Sequence, residues 1–87
     1  MQGKMAIRSN FKVLRARVEA IEGRRISYDE IAAEANVSEP TLIRFANDKV
    51  SAVSYKTLEN LCLYFRRKGL SNCDPGDLFV LNTKTAA

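Results

Sequence analysis

Histidine is absent from the chain, and cysteine occurs only twice, at Cys62 and Cys73. The two thiols do not form a Cys-x-x-Cys pair. Zinc, haem and iron–sulfur sites therefore lack a ligand set, and no metal or other cofactor is expected. Without histidine, the usual general base at neutral pH is missing as well. The sequence has no glycine-rich phosphate loop, no spacing that pairs carboxylates in a cleft, and no base placed to activate a cysteine. An enzyme is not expected. No run approaches the ~20 apolar residues needed to span a bilayer. The N-terminus, Met1 to Ser9, lacks the apolar stretch of a secretory signal. These absences predict a cytoplasmic protein without membrane contact, whose cysteines stay as free, buried or half-buried thiols.

What is present is the composition of an ordinary soluble domain. The 87 residues are 46% hydrophobic and 28% charged, enough for one compact domain and too few for a second. A domain of this size buries only about 60% of its unfolded surface, so its stability is modest and a partner chain would add to it. The net charge of +4 is compatible with nucleic-acid or anionic-membrane binding but establishes neither.

Hydrophobic spacing predicts an all-α chain of five helices, without strands, arranged as a compact bundle. Phe11, Leu14, Val18 and Ile21 make one apolar stripe on a helix from about Arg8 to Glu22, which Gly23 ends. Ser27 followed by Glu30 predicts a capping box for a second helix, whose narrow inner face is Ile31, Ala32 and Ala35. Asn36 tolerates the left-handed backbone of a tight turn. Ser38, Glu39 and Pro40 open a short third helix with Leu42 and Phe45 inward. Lys49 to Val53 reads as a loop. Ser54 caps a fourth helix whose core face is Leu58, Leu61, Cys62 and Phe65, with Arg66, Arg67 and Lys68 near its C-terminal dipole. Asp74-Pro-Gly-Asp77 starts a last short helix, in which Leu78 and Phe79 close the core. The expected domain spans 1–87, with its core at about 7–81, a short N-terminal arm, and a frayed tail from Asn82.

Tyr28 to Phe45 is the informative unit. Two short helices are joined by only Asn36-Val37-Ser38, and their buried faces are narrow. Such helices should cross steeply rather than lie antiparallel, the arrangement of a helix-turn-helix. Glu39, Thr41, Ile43 and Arg44 then lie on or near the outer side of the third helix, which can enter a major groove.

The run from Ser27 to Lys49 (SYDEIAAEANVSEPTLIRFANDK) resembles the λ-repressor-like, or Cro/XRE-type, helix-turn-helix family. Val53 to Cys62 resembles that family's fourth helix, and Asp74 to Phe79 the closing motif of a compact subgroup. The resemblance implies a five-helix bundle that binds double-stranded DNA, commonly as a homodimer, and acts as a small transcriptional repressor. It implies base contacts from Glu39, Pro40, Thr41 and Arg44. It implies backbone contacts from Tyr28, Asn47 and Lys49, with Ser38 as a cap that can also face a phosphate. The chain departs from the family at Tyr28, where glutamine is usual, and at Asn36 and Asp48, where glycine is frequent. Ala46 stands where an acidic partner for a helix-1 arginine is usual, which leaves Arg15 free to meet the DNA backbone or some other group.

Each residue type has its own chemistry. Arginine can bind the O6 and N7 edge of guanine in a bidentate manner, worth ~1–3 kcal/mol of discrimination, so Arg44 is the expected reader. Glu39 suits a cytosine amino group and equally suits the positive end of its own helix. Thr41 suits a thymine methyl or plain solvent. Pro40 shapes the helix start. The rival to DNA binding is a protein-binding module on the same fold, such as an antitoxin or anti-repressor, with a protein partner. RNA binding is disfavoured because no aromatic platform on strands is predicted.

Overall fold

The computed structural model describes residues 6–49 and 52–82. Within them the order is β1 (Ala6–Ser9), α1 (Phe11–Glu22), α2 (Tyr28–Ala35), α3 (Glu39–Ala46), α4 (Tyr55–Arg67), a single 3-10 turn (Pro75–Leu78) and β2 (Phe79–Asn82). Two expectations are corrected. The described residues hold four α-helices rather than five, since the closing motif makes only the 3-10 turn. The chain is also not free of strands: β1 pairs antiparallel with β2, with Ile7 opposite Leu81 and Ser9 opposite Phe79. Asn82, assigned to the tail, ends β2, whereas residues 1–5 and 83–87 lie outside the described part. The first helix begins at Phe11 because Arg8 and Ser9 are held in the sheet.

Three helices begin with the same local code. Ser27, Ser38 and Ser54 each adopt extended backbone, and each hydroxyl accepts from the amide three residues on, at 3.3, 3.3 and 3.1 Å. Each serine follows an apolar residue, Ile26, Val37 or Val53, and stands four residues before another, Ile31, Leu42 or Leu58. All six pack in or against the core, the placement of a hydrophobic staple that fixes how the chain enters each helix. The capping box forecast at Ser27 is only half formed. The Glu30 carboxylate turns instead to the guanidinium of Arg24.

Phe11 is the hub of the core. Its ring lies 5.8 Å from Tyr28, 6.4 Å from Phe45 and 5.8 Å from Phe65, so it joins α1 to the other three helices. Phe79 then meets Phe45 edge-on at 5.7 Å and seats the sheet on α3. Ile21, expected in the core stripe, is 57% exposed, and the fully buried Ile26 of the α1–α2 loop fills the core instead. The αL conformation of Gly23 (φ 70°) ends α1 one residue later and turns the chain inward.

Candidate nucleic-acid interface

The α2–α3 turn sets how α3 is presented. Asn36 adopts the left-handed conformation (φ 58°), and its amide and that of Val37 both close on the Ala32 carbonyl. Helix α4 braces this corner from outside. Asn60 donates to the Asn36 carbonyl at 3.2 Å, Arg67 to the Glu34 carbonyl at 3.0 Å, and Lys68 pairs with the Glu34 carboxylate at 2.9 Å. Sequence reasoning missed Asn60. Its signal was a polar residue on the inner shoulder of a helix, where an orphan turn carbonyl needed a donor.

With the corner fixed, α3 buries Leu42, Phe45 and Ala46. Glu39, Pro40, Arg44, Asn47 and Lys49 are exposed, while Thr41 and Ile43 are half-buried. At the start of the helix, the Ser38 hydroxyl donates to the Thr41 hydroxyl at 2.6 Å while accepting from its amide. That pair positions Thr41 and leaves the Glu39 side chain outward in the first turn. At the other end, the Asn47 side chain donates to the Ile43 carbonyl at 3.0 Å, and the Lys49 amide reaches the Arg44 carbonyl at 2.8 Å. Asp48 between them is left-handed (φ 59°), as a helix-ending residue must be for this closure.

The Asp48 carboxylate turns toward the sheet. It accepts from the Ser9 amide at 2.6 Å and lies 3.7 Å from the Arg8 guanidinium. The strand next to it thereby balances the Asp48 charge.

Several cations are paired within the fold. Arg24 pairs with Glu22 and Glu30, Arg66 with Asp74, and Lys68 with Glu22 and Glu34. Glu30 and Lys68 depart from their ordinary titration. Glu30 is held below the usual carboxylate range chiefly by its hydrogen bond to Arg24, and Lys68 is raised chiefly by Glu34. The basic run at the end of α4 is therefore largely internal bracing. By contrast, among the described residues no acceptor or acid engages the side chains of Arg44 or Lys49.

Arg15 corrects an expectation. It is not free: its Nε donates to the Ile26 carbonyl at 2.8 Å, a terminal nitrogen lies 3.6 Å from Glu19, and its guanidinium sits 4.6 Å above the Tyr28 ring. Glu19, one turn along the same helix, supplies the acidic partner that Ala46 cannot. Glu19 also accepts from the Ile26 amide at 2.8 Å, so one carboxylate and one guanidinium together hold the α1–α2 loop. Tyr28 is half-buried at the start of α2, its ring packed between Phe11 and Arg15.

The candidate residues thus form two groups. Ser38, Glu39, Pro40, Thr41, Arg44, Asn47 and Lys49 share α3 and its two ends, whereas Tyr28 and Arg15 pair at the start of α2. Two short helices joined by a left-handed corner, the second presenting an unpaired arginine, define a helix-turn-helix domain. A family model described as the Cro/C1-type HTH DNA-binding domain matches residues 19–84, most of the chain. The protein belongs to this family, and its class of function is DNA binding in transcription regulation. Searches of curated proteins and of solved structures return no match. Both cysteines are free and buried, and no helix among the described residues is long and apolar enough to cross a membrane.

Proposed function

We propose that the protein is a sequence-specific regulator that lays α3 in the major groove of duplex DNA and represses by occupying its site. The observation that carries this reading is the setting of Arg44, which like Arg17 and Arg25 has no side-chain partner among the described residues but alone of these three stands on α3. Arg15, Arg24 and Arg66 have carboxylate and carbonyl partners within the fold, and Arg67 a carbonyl. Arg44, on the exposed side of the braced α3, has none among the described residues. A guanidinium left outward on such a helix suits the O6 and N7 edge of guanine. Glu39, Pro40 and Thr41, at the N-terminal end of α3, lie where a helix entering end-on meets further bases.

Lys49, Asn47, Ser38 and the Tyr28 hydroxyl are assigned to phosphates, which position the domain without specifying sequence. Arg15 supports the Tyr28 ring rather than reaching DNA itself. Repression is the mode that asks least of this domain, because occupancy alone excludes other proteins from the site. The test is selection of bound fragments from a random duplex pool, followed by anisotropy titration of the selected site and a scrambled one. A preferred sequence with affinity falling steeply with salt is the expected result. No binding to either duplex at low salt would refute the reading and favour the antitoxin or anti-repressor alternative.

A further inference from the structure

A groove of about 350 Å³ is walled by β1, β2, the end of α3 and the residues that lead into α4. Its lining is mainly apolar. Ile7 and Phe79 share one face of the sheet, because Ile7 stands two residues before Ser9 and Ser9 pairs with Phe79. Phe45, whose ring meets Phe79 edge-on at 5.7 Å, and Val53 extend the apolar lining. Ile7 is 70% exposed, so the fold leaves part of this surface to solvent.

The groove also has a polar side, made by Arg8, Ser9 and Asp48. One Asp48 oxygen is engaged by the Ser9 amide at 2.6 Å. The Arg8 side chain is 59% exposed, and its Nε lies 3.7 Å from the other Asp48 oxygen. Among the described residues its guanidinium makes no hydrogen bond, so its two terminal nitrogens keep their donors.

The volume is that of a small-ligand site, and such sites join an apolar lining to a few polar groups that fix orientation. A guanidinium fork with donors to spare selects a carboxylate, which it holds through two hydrogen bonds. Asp48 on the Nε side leaves the terminal nitrogens for that second acid. The net charge of +4 favours the approach of an anion. We propose that this groove binds a small ionised carboxylic acid with an aromatic or branched apolar part. Its carboxylate rests on Arg8 and its apolar part against Ile7, Phe45 and Phe79. Because Phe45 and Asp48 belong to the end of α3, the ligand bears directly on that helix. The inference stands apart from the DNA reading, and no duplex enters its test.

Amide chemical shifts of the isotope-labelled full chain, followed by NMR during titration with phenylacetate, test it. The expected result is saturable shifts at Ser9, Asp48, Val53 and Phe79 with a Kd of about 5 mM or tighter, the range open to a ligand of about ten non-hydrogen atoms. Phenylacetamide and phenethylamine are similar in shape but neutral and cationic, and should each bind at least about fivefold more weakly. Arg8→Gln should bring phenylacetate down to the level of phenylacetamide. Ile7→Asp, at an exposed position, should weaken phenylacetate by at least about tenfold. Unchanged shifts away from the groove confirm that both variants fold. Four results each overturn the proposal: no saturation by about 20 mM phenylacetate, shifts centred away from the groove, equal binding of the three probes, or wild-type binding of phenylacetate by either variant.

Discussion

Asp48 Oδ1 accepts a hydrogen bond from the Ser9 amide at 2.6 Å, tying the end of α3 to the first strand. The same residue holds a left-handed backbone. Asp48→Ala removes the acceptor and forces alanine into that backbone, and should cost about 1–3 kcal/mol. Asp48→Gly keeps the conformation available and should lose less. Urea unfolding of the three proteins checks the order wild type, glycine variant, alanine variant. Equal stability of all three would show that the tie contributes nothing.

Arg15 and Lys49 should separate by the salt dependence of binding. Lys49→Ala is expected to weaken binding to every duplex alike and to reduce the salt slope by about one ion. Arg15→Ala should lower stability by about 1–3 kcal/mol, through loss of a charge-assisted hydrogen bond to Ile26 and a cation–π contact. Its salt slope should stay at the wild-type value. A slope reduced in Arg15→Ala as much as in Lys49→Ala would make Arg15 a phosphate ligand after all.

Acid should destabilise the domain partly through Glu30. Its carboxyl is held below the ordinary value of 4.5 by Arg24, so folding favours the ionised form. That stability is present above the unfolded pKa and is lost as pH falls through the lower folded one. Denaturation midpoints at about pH 6, 4.5 and 3 should fall less steeply in Glu30→Gln than in wild type. Parallel profiles would remove Glu30 from the account.

The thiols should be inert while the chain is folded. Burial pushes Cys73 up to about 11 and raises Cys62 as well. A thiol-reactive disulfide reagent at about pH 8 should label both residues at least about a hundredfold more slowly in the native protein than in urea, because the thiolate is the nucleophile. Rapid labelling of the native protein would show that the loop carrying Cys73 opens freely.

The helix-turn-helix was legible because its determinants are local. Ser27, Ser38, Asn36 and the spacing of Ile31, Ala35, Leu42 and Phe45 all act within a few residues of where they stand. The sheet was not legible, because Ser9 and Phe79 find each other across most of the chain and neither four-residue segment alternates clearly enough to announce a strand. Ile21 was misplaced for a related reason. It continues the α1 periodicity, but Gly23 swings Ile26 into the core, and Ile21 lies instead beside Gly69, within 3.1 Å of where a β-carbon there would stand. Side-chain roles were legible as types and not as partners. Arginine at position 15 suggested an anion, but whether that anion is Glu19 or a phosphate depends on folding.

The most direct measurement is methylation interference at guanine N7, an atom that lies in the major groove, on the selected binding site. N7 methylation at one or more guanines is expected to block wild-type binding, and Arg44→Ala to lose sensitivity at one of them. Binding indifferent to N7 methylation, or an Arg44→Ala variant that keeps full sensitivity at every guanine, would contradict it.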